Sequence, residues 1–220
     1  MKIRTNRTRN QKGNALLELA VITPMLSLLI MGCVNFGLIL TAMSQISQVC
    51  RNSNALVIRG VDLSQTTNQQ LLIRTAAGLR MNISGTSNPD PNGKGVVYVT
   101  KVLRVGPNAC SLGIANWDQK PSSCPNYGMY VIASRISIGN TTRWPSPSGS
   151  PATTLKSNGD LYDSDIATNT GNRATGYGPS GVVTLVNDQY TMVSEIYVDI
   201  SNLNLFQMIN TPIVFMRNLS

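Results

Sequence analysis

Histidine is absent from all 220 residues, which removes the usual general base, the commonest metal ligand and every histidine-dependent triad. Four cysteines stand at Cys33, Cys50, Cys110 and Cys124, and their spacing matches no zinc-binding pattern. Cys110 and Cys124 share one loop and are expected to form a disulfide in an exported domain, where closing about 15 residues contributes roughly 3 kcal/mol by chain entropy. Two unpaired thiols are the alternative in a reducing compartment. Asp160, Asp163, Asp165 and Asn169 crowd the stretch SNGDLYDSDIATN. Their oxygens could ligate calcium, but Ala167 stands where a calcium loop needs a ligand and no terminal Glu follows, so a solvated acidic loop is the expectation. The pair Asp163 and Asp165 lacks any positioning context for hydrolysis. Gly176, Gly178 and Gly181 precede an apolar run without the Lys-Ser/Thr of a phosphate-cradling loop, and read as a turn. We expect no enzyme, no metal and no cofactor.

One carboxylate stands in unusual company. Ala15 to Leu40 reads ALLELAVITPMLSLLIMGCVNFGLIL, and Glu18 is its only charge. Such a stretch is long enough to cross a hydrocarbon core of about 30 Å. Lys2, Arg4, Arg7, Arg9 and Lys12 precede it with no intervening acid, which orients the amino terminus to the cytoplasm and the rest of the chain outside, periplasmic or extracellular. No A-x-A-like cleavage site follows Leu40 directly, so the apolar segment is expected to stay in the mature protein. An ionised carboxylate at that depth costs several kcal/mol unless it is compensated. Glu18 therefore either snorkels to headgroup level or has a partner.

The same five basic residues account for most of the formal charge of +8, since the other 13 Lys and Arg face 10 acids and leave +3. That remainder forms no basic stripe interleaved with aromatics, so no nucleic-acid partner is expected.

The context of Glu18 carries a resemblance. In KGNALLE, Gly13 closes the basic leader and Glu18 is the fifth residue after it, which resembles the class III signal of type IV prepilins. The following E-L-A-x-x-x-P, ending at Pro24, and the stretch Met31-Gly32-Cys33-Val34-Asn35-Phe36-Gly37 are similar to the TadE-like pseudopilins, minor pilins of the tight-adherence (Tad) pilus system. Two positions depart from the family pattern: Leu19 replaces the aromatic after the glutamate, and Asn35 replaces the acid before the phenylalanine. The resemblance covers about residues 10–60. It implies a prepilin peptidase that cuts after Gly13 and makes Asn14 the new amino terminus. It also implies that Glu18 pairs with the amino terminus of a neighbouring subunit and sets axial register. Pro24 removes one helical hydrogen bond and is expected to kink or locally melt the helix. The implied partners are the peptidase, other pilins and pseudopilins, the assembly platform and the inner membrane, and the implied role is pilus assembly for adherence. The alternative is an uncleaved single-span adhesin whose exported part binds a surface.

These residues must be held by an α+β chain in three parts: a basic cytoplasmic leader at 1–13, a membrane and assembly helix at 14–60, and an extracytoplasmic head at 61–220. Leu40, Met43, Ile46, Val49, Leu56 and Val57 recur at nearly helical spacing, so the membrane helix is expected to run on to about Arg59 and stop at Gly60. A second helix is expected between Ser64 and Met81, with Gly78 as its weak point. NPDPNGK at 88–94 is a turn signal, followed by strands at Val96–Val105, Met129–Ile138, Thr191–Ile200 and Ile213–Arg217. Four strands point to an antiparallel sheet packed on the outer half of the long helix, the pilin-like plan. Residues 141–180 have almost no apolar periodicity and are expected to form a long exposed polar loop.

Overall fold

A computed structural model of the chain describes residues 9–81, 90–177, 181, 183–201 and 213–219. The turn expected at 88–94 is therefore described from Asp90 onward, the leader only from Arg9, and the loop expected at 141–180 as far as Tyr177.

The first element, α1, runs unbroken from Arg9 to Ile58. It closes in a Schellman motif: Gly60, at φ +79°, donates to the Val57 carbonyl at 2.9 Å, and Val61 donates to the Leu56 carbonyl at 2.9 Å. Only glycine adopts this left-handed conformation without steric cost, which is why the helix stops there.

The second helix, α2, spans Thr66–Thr75 and is followed by a 3-10 turn at Ala77–Leu79, so it is shorter than the periodicity predicts. The chain then runs beside α1, where Gly78 lies against the side-chain amide of Gln45.

Four strands follow, β1 Gly95–Arg104, β2 Tyr130–Gly139, β3 Tyr190–Asp199 and β4 Ile213–Leu219. They pair antiparallel in the order β2-β1-β3-β4. One irregularity, between Lys101 and Val102 of β1, shifts its register with β2. The fold is α+β, with the outer half of α1 laid on the sheet.

One face of the sheet supplies Val97, Val99, Ile138, Ile196 and Val198 to a core shared with Ile39, Ala42, Ile46 and Val49 of α1 and Leu72 of α2. Farther along, that core gives way to a second one. There the short helices α3, Pro107–Gly113, and α4, Asp163–Thr168, bury Cys110, Cys124, Leu161, Ile166 and Ala167 against Val131 and Ala133 of β2. Cys110 and Cys124 are joined in a disulfide whose Cα atoms are 6.0 Å apart.

The opposite face of the sheet is also covered, and here the expectation of an exposed polar loop is corrected. Within 141–177, Trp144, Ser146 and Ser148 are buried on this face, whereas Leu161, Ile166 and Ala167 are buried in the second core, and Asn172 is buried as well. The phenolic hydroxyl of Tyr98 donates to the Trp144 carbonyl at 2.6 Å. The Asn172 side chain accepts from the Ala152 amide at 2.8 Å, and the Arg173 guanidinium donates to Asn126 at 2.9 Å. The segment shows no apolar period because most of it is neither helix nor strand. Side-chain hydrogen bonds hold it in place of a regular ladder.

Candidate functional site

Gly13, Asn14, Glu18 and Pro24 all lie on α1. Asn14 and Glu18 are four residues apart, which puts them on one helix face about 6 Å apart along the axis. Glu18 is exposed, and among the described side chains it has no ion-pair partner. The backbone is helical through Pro24. The proline still deprives the Ala20 carbonyl of its usual donor.

Every residue from Leu16 to Met31 is exposed, including Leu17, Ile22, Leu26, Leu29 and Ile30. From Leu16 onward the helix is long and apolar enough to cross a membrane. Its hydroxyls do not disturb that surface: Thr23 donates to the Leu19 carbonyl at 2.6 Å, Ser27 to the Pro24 carbonyl at 2.8 Å and Thr41 to the Gly37 carbonyl at 2.8 Å. Hydroxyls bonded to their own helix need no solvent.

The outer half of the helix is built differently. Asn35, Ile39, Ala42, Ile46, Val49 and Ser53 are buried, at steps of four, three, four, three and four, a single stripe along one face. Near its end Cys50 donates to the Ser194 carbonyl of β3 at 3.3 Å, and the Ser53 and Ser194 hydroxyls are hydrogen-bonded. Asn35 opens this stripe, and at a fully buried position a neutral amide is cheaper to desolvate than a carboxylate. Cys33 remains an exposed free thiol on the apolar half.

The acidic stretch that offered oxygen ligands is occupied with local turns. Asp160 accepts from the Asn158 amide at 2.6 Å, and Asn169 accepts from the Gly171 amide at 2.9 Å. Among the described residues no group of three or more His, Cys, Asp and Glu converges. Asp163 and Asp165, two apart on α4, do not face one another. The glycine stretch at 176–181 lies partly outside the described residues.

Sequence reasoning missed one polar cluster, set between the sheet and the covering segment. Glu195 of β3 is fully buried and forms an ion pair with Arg217 of β4, its cross-strand neighbour. Its Oε2 accepts from the Ser146 hydroxyl, while Ser148 donates at 2.7 Å to Oε1, the oxygen that faces Arg217. Arg135 of β2 donates to Thr100 at 3.0 Å, to Ser146 at 3.1 Å and to the Gly149 carbonyl. Burial pulls the Arg135 guanidinium below its ordinary range, and the charge of Glu195 works against that shift. The cluster fastens the covering segment to the sheet. The available signal was a charged residue amid apolar strand residues, Arg135 in YVIASRISIG and Glu195 in YTMVSEIYVD, since such residues are rarely buried unless paired.

The two halves of α1 coincide with the one similarity found. Residues 13–53 match the family of TadE-like proteins, from the glycine before the apolar stretch to the serine that meets β3. That segment is TadE-like, and the family it matches is a structural component of the Tad pilus system and not an enzyme family. No curated protein and no solved structure matches the chain.

Proposed function

We propose that this chain is a pseudopilin, or minor pilin, of a Tad-type pilus used in adherence. It inserts in the inner membrane with the leader in the cytoplasm and the head outside. A prepilin peptidase removes Met1–Gly13, and the apolar helix remains as the assembly element among other pilins on the assembly platform. The observation that carries this reading is a TadE-like segment that holds an exposed apolar helix with a single carboxylate, five residues after Gly13.

The chemistry follows from the low dielectric among packed helices. Cleavage frees an α-ammonium on Asn14, and a neighbouring subunit's Glu18 offers the opposite charge. Pairing offsets the cost of holding either ion in an apolar bundle, and the charge pair fixes axial register. Pro24 introduces a point of bending between this pair and the outer half of the helix.

Intact-mass analysis of the protein from its native membranes tests processing. A chain beginning at Asn14 is expected; an intact leader in cells with active prepilin peptidase would sink the reading in favour of an uncleaved anchored adhesin. Glu18→Gln is expected to leave insertion and cleavage intact and to abolish most pilus assembly, scored by shear-released pili. Normal piliation by that variant would refute the assigned role of Glu18.

A further inference from the structure

The height of the head on α1 fixes which part of it meets the membrane surface. On α1, Gln45 packs against Gly78 whereas Cys50 and Ser53, farther out, meet Ser194 of β3, and Gly95 lies against Met81 and the Tyr197 carbonyl, so the start of β1 and the end of β3 lie at the membrane side. Gly78 packs against Gln45, five residues beyond Leu40, where the apolar stretch ends. Five residues rise about 7.5 Å, and the headgroup layer on each side of a bilayer is about 5–8 Å thick. The chain around Gly78 therefore lies at headgroup height.

Three cations gather at this end. The Lys94 amide donates to the Arg80 carbonyl at 2.8 Å, and the Asp199 amide donates to the Lys94 carbonyl at 2.7 Å. The Arg143 guanidinium reaches Asp199 at 3.0 Å. Arg80, Lys94, Asp199 and Ile200 line a shallow cleft with Gly78 and Leu79. Arg80 and Arg143 are exposed and Lys94 is half-buried, whereas the acids at this end, Asp90 and Asp199, are buried. Arg143 is partly spent on Asp199, and Arg80 and Lys94 form no ion pair among the described residues. Residues 82–89 and 202–212 contain no charged residue, so the sequence adjoining this end brings no competing acid.

We infer that the membrane side of the head, through Arg80 and Lys94 with Arg143 beside them, seats on anionic phospholipid headgroups of the outer leaflet. The inference rests on the membrane-inserted reading above. Lipid is the occupant because the cleft stands at headgroup height on the same helix that crosses the bilayer, and its exposed charges are all opposite in sign to a phosphodiester.

The test uses the full chain purified in an uncharged detergent, with bound lipid counted by native mass spectrometry during titration with phosphatidylglycerol or phosphatidylcholine. The protein is expected to retain phosphatidylglycerol in preference, and Arg80→Gln/Lys94→Gln to lose about tenfold or more of that preference. The charge-matched pair Lys120→Gln/Lys156→Gln, on the far part of the head, is expected to keep it. Should the double variant misfold, Arg80→Gln alone is expected to lose about fivefold. No preference in the parent protein, or equal loss in both pairs, would overturn the inference. So would full displacement of lipid by millimolar inorganic phosphate, which would make the cleft a free-phosphate site. Carbonate extraction of native membranes separates the two readings: release of the chain from the pellet defeats membrane insertion itself, whereas retention without lipid preference defeats the headgroup seat alone.

Discussion

Residues 16–31 and 35–54 belong to one continuous helix, yet the first stretch, almost wholly apolar, is exposed on every side, and the second, about half polar, buries a single apolar stripe against the sheet. The difference lies in what satisfies each. The outer half finds its partners within the chain: Ile46 and Val49 are fully buried, and Cys50 and Ser53 reach Ser194. The inner half presents leucine and isoleucine that meet no partner among the described residues, which is how a helix meets lipid or other subunits. The treatment of charge follows the same division. Glu18 has no partner among the described side chains, whereas Glu195 is enclosed with Arg217, Ser146 and Ser148.

Breaking the enclosed charge should have the largest effect. Glu195→Ala leaves Arg217 unpaired and removes the acceptor of Ser146 and Ser148. We expect a loss of about 3–5 kcal/mol in head stability by denaturant unfolding in detergent, with faster proteolysis within 141–177. Glu18→Ala, by contrast, is expected to leave that unfolding curve in place. A matched pair sharpens the comparison within α1: Ile46→Ala should cost the head about 2–5 kcal/mol, and Leu26→Ala less than about 0.5 kcal/mol on the same curve. Equal losses would mean that the two halves are not divided as described. Replacing Cys110 and Cys124 by Ser should cost about 3 kcal/mol, seen as a lower Tm that dithiothreitol does not lower further.

The smallest expected effect is on pH. Burial pushes the Asp199 carboxyl up, but hydrogen bonds from Ser201 and the charges of Arg143 and Lys94 outweigh it and hold the group below its ordinary value. A carboxyl lowered on folding contributes stability above its unfolded value near pH 4, and that contribution is lost as the pH falls through the lower folded value. Asp199→Asn should flatten this acid-side decline in a series of unfolding curves between about pH 5 and 2.

Much of this architecture was legible in the chain before any coordinates. The four strands fall within about two residues of their expected positions, because runs of β-branched and aromatic residues bounded by turn signals mark strands even when both faces are covered. Gly60 ends α1 where a left-handed residue was needed, and the glycine, glutamate and proline spacing of the amino-terminal segment carried the family resemblance. The second helix came out shorter than expected, ending at Thr75, three residues before the Gly78 that its sequence marked as the weak point.

Sequence by itself determined the apolar span, its single carboxylate, the strand set and the α+β class, all of which depend on local composition and short-range period. Only the tertiary structure decided that 141–177 is a covering layer, that Glu195 and Arg217 are its cross-strand anchor with Arg135 beside them, and which half of α1 is enclosed. Those outcomes rest on hydrogen bonds and ion pairs between residues tens of positions apart. A serine or arginine that will be buried with a partner reads, in sequence, like one that faces water.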